Sequence, residues 1–304
     1  MEIVTNMSSY GKCTLCPRRC GVNRSGGQRG FCRMGDTPVV NLSCLHFGEE
    51  PIITGQGGSG TVFFEGCSLG CVFCQNNRIS KGPTGNGTPM DAEALARQFL
   101  ELESRGAENI NLVTPMHFAP HIGPAVKIAR SLGLTVPVAV NTGGYESVSS
   151  LKMLRGDIDI YMPDIKFFSG DLALECTGRS DYFEIAMESV REMVRQTGAP
   201  VIEDGLMRRG VIIRHMMMPG KLFDTKKILD RIYGEFGDDV YISLMFQYTP
   251  MPHVLQGDYP SYMKKKVQSG HCRAALDYLI NLGVTNAFYQ DEEASGYSMI
   301  PDFR

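Results

Sequence analysis

The sequence predicts an α/β fold: a partial (β/α)6 barrel of the TIM type, preceded by an irregular, cysteine-rich N-terminal segment. From Thr61 onward, short apolar runs alternate with helical stretches. The apolar runs are continuous, as expected for strands buried on both faces of a parallel sheet. Six such units are fewer than the eight of a complete barrel, which favours an open one. A doubly wound sheet is the alternative.

Each element of the predicted barrel has its own signal. The predicted strands are Thr61–Phe64, Ile110–Val113, Val136–Val140, Ile158–Met162, Val211–Met216 and Tyr241–Met245. The predicted helices are Asp91–Ser104, His121–Leu132, Glu146–Leu154, Tyr182–Thr197, Asp224–Phe236 and Gln268–Leu282. Asp91 and Asp224 are suitable N-caps, and Gly106, Gly133 and Gly198 lie where helices should end. We therefore expect two units, a segment over residues 1–57 and a barrel over residues 58–304.

Composition limits the possible partners and the compartment. The chain has 304 residues, 43% of them hydrophobic, and a formal net charge of −3, which argues against a nucleic-acid-binding protein. The sequence contains no run of about 18 apolar residues, so we expect no membrane span. The polar stretch Met1–Tyr10 lacks the apolar core of a secretory signal, so we expect a cytoplasmic protein. In that reducing compartment, ten cysteines indicate metal ligands or catalytic groups rather than disulfides.

The first cysteine group directly follows the first predicted strand. Residues 66–76 read Gly-Cys-Ser-Leu-Gly-Cys-Val-Phe-Cys-Gln-Asn, which places Cys67, Cys71 and Cys74 around one loop. Three thiolates leave one iron of a four-iron cluster open, as a catalytic metal site leaves a position open for its substrate. A zinc loop would need a fourth ligand close by, and none lies within the loop. The spacing therefore favours an iron–sulfur cluster at the carboxyl end of a barrel strand.

This pattern, with Phe73 as its aromatic residue, resembles the signature of the radical S-adenosylmethionine (SAM) superfamily. The longer string is similar to the branch related to pyruvate formate-lyase activating enzymes. The resemblance implies a [4Fe-4S] cluster whose open iron binds the amino and carboxylate groups of SAM. It also implies reductive cleavage of SAM to a 5′-deoxyadenosyl radical that abstracts hydrogen from a substrate, with reduced flavodoxin or ferredoxin as electron donor.

The resemblance continues at the ends of the second and third strands. The family's Gly-Gly-Glu-type motif, which receives the cofactor's amino group, is replaced here by residues 113–118, Val-Thr-Pro-Met-His-Phe. Either Thr114 or His117 takes over that contact, or His117 is a packed loop histidine. Asn141 and Thr142 begin an Asn-Thr-Gly-Gly sequence that is similar to the family's Asp-Thr-Asn-Gly turn near the cofactor.

Three later strand ends extend the predicted cofactor site. Asp164 and Lys166 resemble the family's Asp-Leu-Lys motif, and burying such charges is costly unless they are paired or bound. The resemblance implies that Lys166 contacts the cofactor carboxylate and that Asp164 orients it. Arg214 resembles the arginine of an Arg-x-x-x-x-Pro-Gly segment and should face a carboxylate. An interior pair with Asp164 is an alternative that is compatible with this role. Tyr248 lies near the position of a family histidine.

The second cysteine group, Cys13, Cys16, Cys20 and Cys32, occupies a segment with little core-forming content. Four sulfurs suit tetrahedral zinc or a second, fully ligated cluster, and the alternative is that some of these thiols bind no metal and are weakly ordered. The segment resembles that of an uncharacterised subgroup of activating-enzyme homologues. Three nearby polar residues line the active site or belong to a solvated loop: His46, Glu49 and Glu50. Three further cysteines, which we expect to be structural, have no partners by spacing: Cys44, Cys176 and Cys272.

Three functions remain open at this point. The leading one is a glycyl-radical activase, or a related hydrogen-abstracting enzyme, that acts on a glycyl-radical enzyme or another protein or peptide. The second is the same radical chemistry on a small molecule or nucleotide, which the altered second- and sixth-strand motifs favour. The third is a non-catalytic iron–sulfur or zinc protein, which the missing Gly-Gly-Glu-type motif favours.

Overall fold

The computed structural model describes residues 7–290 and Phe303. Its ten strands are β1 (Val39–His46), β2 (Ser59–Phe64), β3 (Thr88–Pro89), β4 (Asn109–Val113), β5 (Val138–Thr142), β6 (Ile160–Pro163), β7 (Val201–Glu203), β8 (Leu206–Met216), β9 (Tyr241–Met245) and β10 (Ala287–Gln290). They form one sheet in the order β10–β9–β8–β6–β5–β4–β2–β1–β3, with β7 paired to β8.

Helices connect the parallel strands. They are α1 (Pro51–Thr54), α2 (Asn77–Ser80), α3 (Ala92–Ser104), α4 (Ala119–Ser131), α5 (Val148–Met153), α6 (Gly170–Thr177), α7 (Tyr182–Thr197), α8 (Leu222–Phe236), α9 (Pro252–Gln256) and α10 (Ser269–Asn281). Short 3-10 turns lie at Met7–Tyr10, Met116–Phe118, Gly237–Asp239 and Ser261–Lys264. Across residues 7–290, none of the helices is both long and apolar enough to span a membrane.

The sheet is a partial barrel. The strands from β2 to β10 are parallel to their neighbours along the main path and follow one another in chain order, without the reversal that defines a doubly wound sheet. Phe63 of β2, Met245 of β9 and Gln290 of β10 line a common cavity, so the sheet curls around it. In the described chain β10 and β3 remain unpaired with each other, and the barrel stays open. The predicted fold class is confirmed.

The predicted strands and helices are all present, with ends shifted by a few residues. Asp91 is the N-cap of α3, since its carboxylate accepts the Ala94 N–H at 2.8 Å. The N-cap prediction for Asp224 is wrong. Helix α8 already begins at Leu222, and the Asp224 carboxylate instead accepts the N–H groups of Phe168 and Ser169 at 2.9 and 2.8 Å.

Strand β1 lies in the segment that we expected to be irregular. It pairs antiparallel with β2, from Val40 opposite Phe64 to His46 opposite Ser59. Only part of the strand is buried, so its sequence lacks the continuous apolar run of the parallel strands. Strand β10 adds a seventh parallel strand after α10. The division after residue 57 stays a prediction, and residues 1–6, 291–302 and 304 lie outside the described part.

Two of the apolar clusters in the described residues lie on the two faces of the curved sheet. The larger one fills the space between the sheet and its surrounding helices. The smaller one lies inside the sheet and includes Ile53 of α1, which closes the amino-terminal end of the barrel. The other members of this smaller cluster are Ala139, Ile160, Met162, Met207 and Ile212. Because this end is packed shut, a ligand has access to the barrel interior from the opposite end.

One buried carboxyl lies just beyond β5. Glu146 has 4% of its surface exposed, and the Thr142 hydroxyl donates a hydrogen bond to its Oε1. Its Oε2 has no hydrogen-bond partner among the described residues. Burial raises the pKa of Glu146 to about 8, although the Thr142 hydrogen bond lowers it. The carboxyl is therefore mostly protonated at neutral pH in the folded protein.

Glu146→Gln should remove a pH-dependent loss of stability. The unfolded chain ionises this carboxyl near pH 4.5, whereas the folded chain does so near pH 8. Between these values unfolding releases a proton, so the free energy of unfolding falls as pH rises, by at most about 1.4 kcal/mol per pH unit. Urea unfolding across this window should show a flatter pH dependence for Glu146→Gln than for wild type. The exposed Glu188→Gln on α7 is the control, and equal slopes for all three proteins would contradict the prediction.

Candidate active site

The loop after β2 carries the first cysteine group. Strand β2 is buried throughout, and the chain turns away from it at Gly66 and Gly70, with φ of 81° and 69°. A Cβ at Gly66 would lie 2.3 Å from Met34 Cγ, so only glycine fits there. Cys67, Cys71 and Cys74 all line one cavity of about 250 Å³. The loop thus brings the three predicted ligands to a single site.

Burial disfavours the charged form of the three thiols as long as no metal binds them. Burial raises the pKa of Cys67 to about 11, against hydrogen bonds from the N–H groups of Gly70 and Leu69 that lower it. Burial also raises the pKa values of Cys71 and Cys74. Buried thiolates need a nearby cation, which a cluster supplies. Within residues 7–290, no three His, Cys, Asp or Glu side chains converge on a single metal ion. Thiolates of a four-iron cluster bind separate irons and need no such convergence.

A charged pair lies at the end of β6. Lys166 Nζ is 2.5 Å from Asp164 Oδ2, and both side chains line the cavity. Burial opposes the charge of Lys166, but Asp164 and Cys71 outweigh burial and raise the pKa of the ammonium. Tyr182 fixes this turn, because its hydroxyl accepts the Lys166 N–H at 3.0 Å and lies 2.9 Å from the carbonyl oxygens of Gly143 and Asp164. The ends of β5 and β6 are thereby held together.

Arg214 is the second buried cation. Its Nε donates to Glu50 Oε1 at 2.9 Å, and its Nη2 donates to Glu49 Oε2 at 2.6 Å and to Glu50 Oε2. Burial opposes its charge, but the two glutamates outweigh burial and raise the pKa of the guanidinium. Asn111 Nδ2 donates to Glu49 Oε1 at 2.8 Å. The suggested side-chain pair with Asp164 is wrong, since the carboxylates come from the 49–50 turn.

The other predicted cofactor residues also line the cavity: Phe73, Thr114, Asn141, Thr142 and Tyr248. His46, Glu49 and Glu50 line it too, which decides against a solvated loop. Thr114 has φ of 58°, a left-handed conformation that is a genuine outlier for a β-branched residue. The Tyr248 hydroxyl donates to the Met263 carbonyl at 2.7 Å. Because the hydroxyl is engaged there, Tyr248 contributes its aromatic ring to the cavity lining.

His117 does not reach the cavity. It is buried, and its Nε2 lies 2.9 Å from the Glu65 carbonyl oxygen. Burial, and next the charge of Arg24, lower the pKa of His117 to about 3, so the imidazole is neutral. The packed-histidine alternative is the one the structure supports. Three cysteines that we expected to be structural are likewise absent from the cavity lining: Cys44, Cys176 and Cys272.

The second cysteine group is partly buried. Cys13 and Cys32 are buried, Cys16 is half-buried and Cys20 is exposed. These four side chains do not converge on a single metal ion either. Gly30 admits the close approach of Cys20, because a Cβ there would lie 2.5 Å from its sulfur. A second cluster or zinc ion at this group stays a prediction.

Sequence reasoning missed several groups at the site. Gln75, Asn76, Met216, Met245, Gln247 and Gln290 line the cavity. Gln75 and Asn76 continue the cysteine loop, and Met216 and Met245 end their strands, so their positions alone could have indicated them. Tyr182 and Glu146 act from behind the cavity, and no local motif marks either residue.

Comparisons with known proteins agree with this geometry. A family model described as the Radical SAM superfamily matches residues 61–232. A protein of Methanocaldococcus jannaschii, described as uncharacterized, is 31% identical over 256 residues, which cover 82% of this chain and 69% of the relative. The family match alone spans more than half of the chain.

Solved structures show weaker likenesses. SuiB of Streptococcus suis, bound to S-adenosylmethionine, is 12% identical with a TM-score of 0.48, over 74% of this chain and 48% of SuiB. Methylornithine synthase (PylB) is 14% identical with a TM-score of 0.49, over 80% of this chain and 74% of that protein. The chain spans about half the length of SuiB. On the family match, the chain belongs to the radical SAM superfamily, whose cofactors are a [4Fe-4S] cluster and S-adenosylmethionine.

Proposed function

We propose that this chain cleaves SAM reductively at a cluster held by Cys67, Cys71 and Cys74 and abstracts hydrogen from a substrate. The bound cluster and SAM would together supply a 5′-deoxyadenosyl radical, and the protein supplies placement and shelter. One observation carries the proposal: the three thiols share a cavity with the Asp164–Lys166 pair. That arrangement provides cluster ligands and a fixed charge side by side, which a non-catalytic cluster protein does not need.

The charged residues have distinct proposed roles. Lys166 binds the carboxylate of SAM. Asp164 orients the Lys166 ammonium group through the 2.5 Å contact between Asp164 Oδ2 and Lys166 Nζ. Arg214 is already bound by two carboxylates of the chain, so its proposed role is to hold Glu49 and Glu50 at the cavity wall. A planar guanidinium suits this task because it meets a carboxylate with two parallel hydrogen bonds.

The uncharged residues shape the remainder of the proposed cofactor pocket. Thr114, Asn141 and Thr142 present polar groups at the ends of neighbouring strands β4 and β5. Glu146 supports Thr142 from behind through the hydroxyl hydrogen bond. Phe73 and Tyr248 pack together with ring centroids 5.9 Å apart, which gives the pocket an apolar wall beside the cysteine loop.

For the substrate we propose a protein or peptide, as in glycyl-radical activation. Support comes from the resemblance of residues 66–76, 162–166 and 212–220 to the activating enzymes. Radical SAM chemistry requires a reduced electron donor, for which we propose flavodoxin or ferredoxin. None of the ten cysteines, all of which lie in the described residues, forms a disulfide, which is typical of proteins in a reducing compartment, so we propose the cytoplasm.

Anaerobic reconstitution with iron and sulfide, followed by dithionite, should yield 5′-deoxyadenosine from SAM. Cys71→Ala should reduce the yield to that of the reaction without protein, because the cluster loses one of three ligands. Cys44→Ala should retain wild-type yield, since Cys44 is a half-buried cysteine that does not line the cavity. Chromatography of the quenched reaction measures the product. Equal yields from wild type and Cys71→Ala would refute the proposal.

Substrate class is tested by adding candidate glycyl-radical enzymes to the reduced, SAM-loaded protein. A correct partner should increase the rate of 5′-deoxyadenosine formation and acquire a glycyl-radical signal in electron paramagnetic resonance (EPR) spectra. Cys71→Ala supplies the background spectrum. If small molecules or nucleotides stimulate the reaction and no protein does, the proposal of a protein substrate is wrong while SAM cleavage stands.

The second cysteine group is tested by metal analysis. We propose that Cys13, Cys16, Cys20 and Cys32 bind a metal centre, so a variant with Cys67, Cys71 and Cys74 changed to Ala should still retain iron or zinc after reconstitution. Changing the four N-terminal cysteines to Ala in that background should then remove the metal. Elemental analysis distinguishes iron from zinc, and a metal-free triple variant that remains folded by circular dichroism would contradict the proposal.

A further inference from the structure

Arg18 connects the N-terminal segment to the cysteine loop of the site. Its Nε donates to the Ser68 carbonyl oxygen at 2.5 Å, and its Nη2 donates to the carbonyl oxygens of Leu69 and Thr177, both at 2.9 Å. The guanidinium also lies 3.3 Å from the ring centroid of Phe31. One side chain thus binds two consecutive carbonyls of the loop that carries Cys67.

Phe31 keeps this guanidinium in place. Its ring also contacts the loop at Gly70, where a Cβ would lie 2.8 Å from the ring carbons. The next residue, Cys32, has its carbonyl oxygen 2.7 Å from the position that a Cβ of Gly66 would take. The N-terminal segment therefore contacts the loop on both sides of Cys67, and Arg18 is fixed by stacking as well as by hydrogen bonds.

The two carbonyls that Arg18 binds belong to peptide groups that face the cysteine. The peptide between Ser68 and Leu69 gives its oxygen to Arg18, and its N–H donates to Cys67 Sγ at 3.4 Å. The peptide between Leu69 and Gly70 gives its oxygen to Arg18, and the Gly70 N–H is a further donor to the Cys67 sulfur. Arg18 and Cys67 thus lie at opposite ends of the same two peptide dipoles.

This arrangement has an electrostatic consequence. A cation at a carbonyl oxygen polarises the peptide and strengthens its N–H as a donor, as in other hydrogen-bonded chains. Hydrogen bonds to the sulfurs of an iron–sulfur cluster stabilise the reduced, more negative state and so raise the reduction potential. We propose that Arg18 is a positioning residue that raises the potential of the cluster through the peptide groups of Ser68 and Leu69. The inference rests on the proposed cluster at Cys67, Cys71 and Cys74.

The test is a redox titration of the reconstituted full-length protein, followed by EPR and carried out without substrate. At the wild-type midpoint potential, Arg18→Gln should lower the ratio of reduced to oxidised cluster about tenfold. This corresponds to a midpoint potential about 59 mV lower for a one-electron couple. Arg18→Lys keeps the charge but lacks the planar fork that bridges two carbonyls, so its midpoint should lie between the two. Arg19→Gln removes the same charge from an exposed neighbour and should leave the midpoint unchanged.

Iron content and thermal melting of each variant separate this role from a merely structural one. A wild-type midpoint in Arg18→Gln at full iron content would overturn the inference, and so would an equal shift in Arg19→Gln. If Arg18→Gln cannot retain its cluster, Arg18→Lys decides: a lowered midpoint supports the inference and a wild-type midpoint overturns it. Failure of the wild type to cleave SAM would count against the proposed function alone, since the midpoints are measured independently of turnover.

Discussion

Parallel pairing of the strands determines where most groups of the site lie. In a parallel sheet all carboxyl ends meet at one edge, and curling the sheet turns that edge into a rim around a cavity. The cysteine loop follows β2, Thr114 follows β4, and the Asp164–Lys166 pair follows β6. Residues that are a hundred positions apart in the chain therefore share one space of about 250 Å³. The amino-terminal end, filled by Ile53 and its neighbours, cannot serve the same purpose.

The charges inside this rim form ion pairs that the chain itself provides. Three carboxylates, those of Glu49, Glu50 and Asp164, face two cations, Lys166 and Arg214. Burial of any of these charges alone would cost several kcal/mol, which explains why each is paired. The excess of one carboxylate makes the cavity a suitable environment for a cationic sulfonium such as that of SAM. The same pairing keeps the cations from repelling one another.

The sequence was sufficient to predict features that arise locally. Continuous apolar runs identified six parallel strands, and the cysteine spacing identified the loop at Cys67, because both signals lie within a few consecutive residues. Residues at strand ends, such as Thr114 and Lys166, followed once the strands were known. The partners of Arg214 were missed because they lie more than 160 positions away, in a turn whose sequence does not indicate pairing. Strand β1 was missed because its burial depends on β2 as a neighbour and not on its own composition.

Thr114 shows what such a site demands of the backbone. Its left-handed conformation stores strain of about 1–3 kcal/mol, which glycine at the same position would relieve. A redesign guided by stability alone would therefore choose Thr114→Gly among its first changes and would remove the threonine side chain from the cavity wall. At this position of the rim, a gain in stability and the loss of a side chain from the cavity wall come together. Engineers of more robust variants should look for their gains on the far side of the barrel, where no strand end contributes to the cavity.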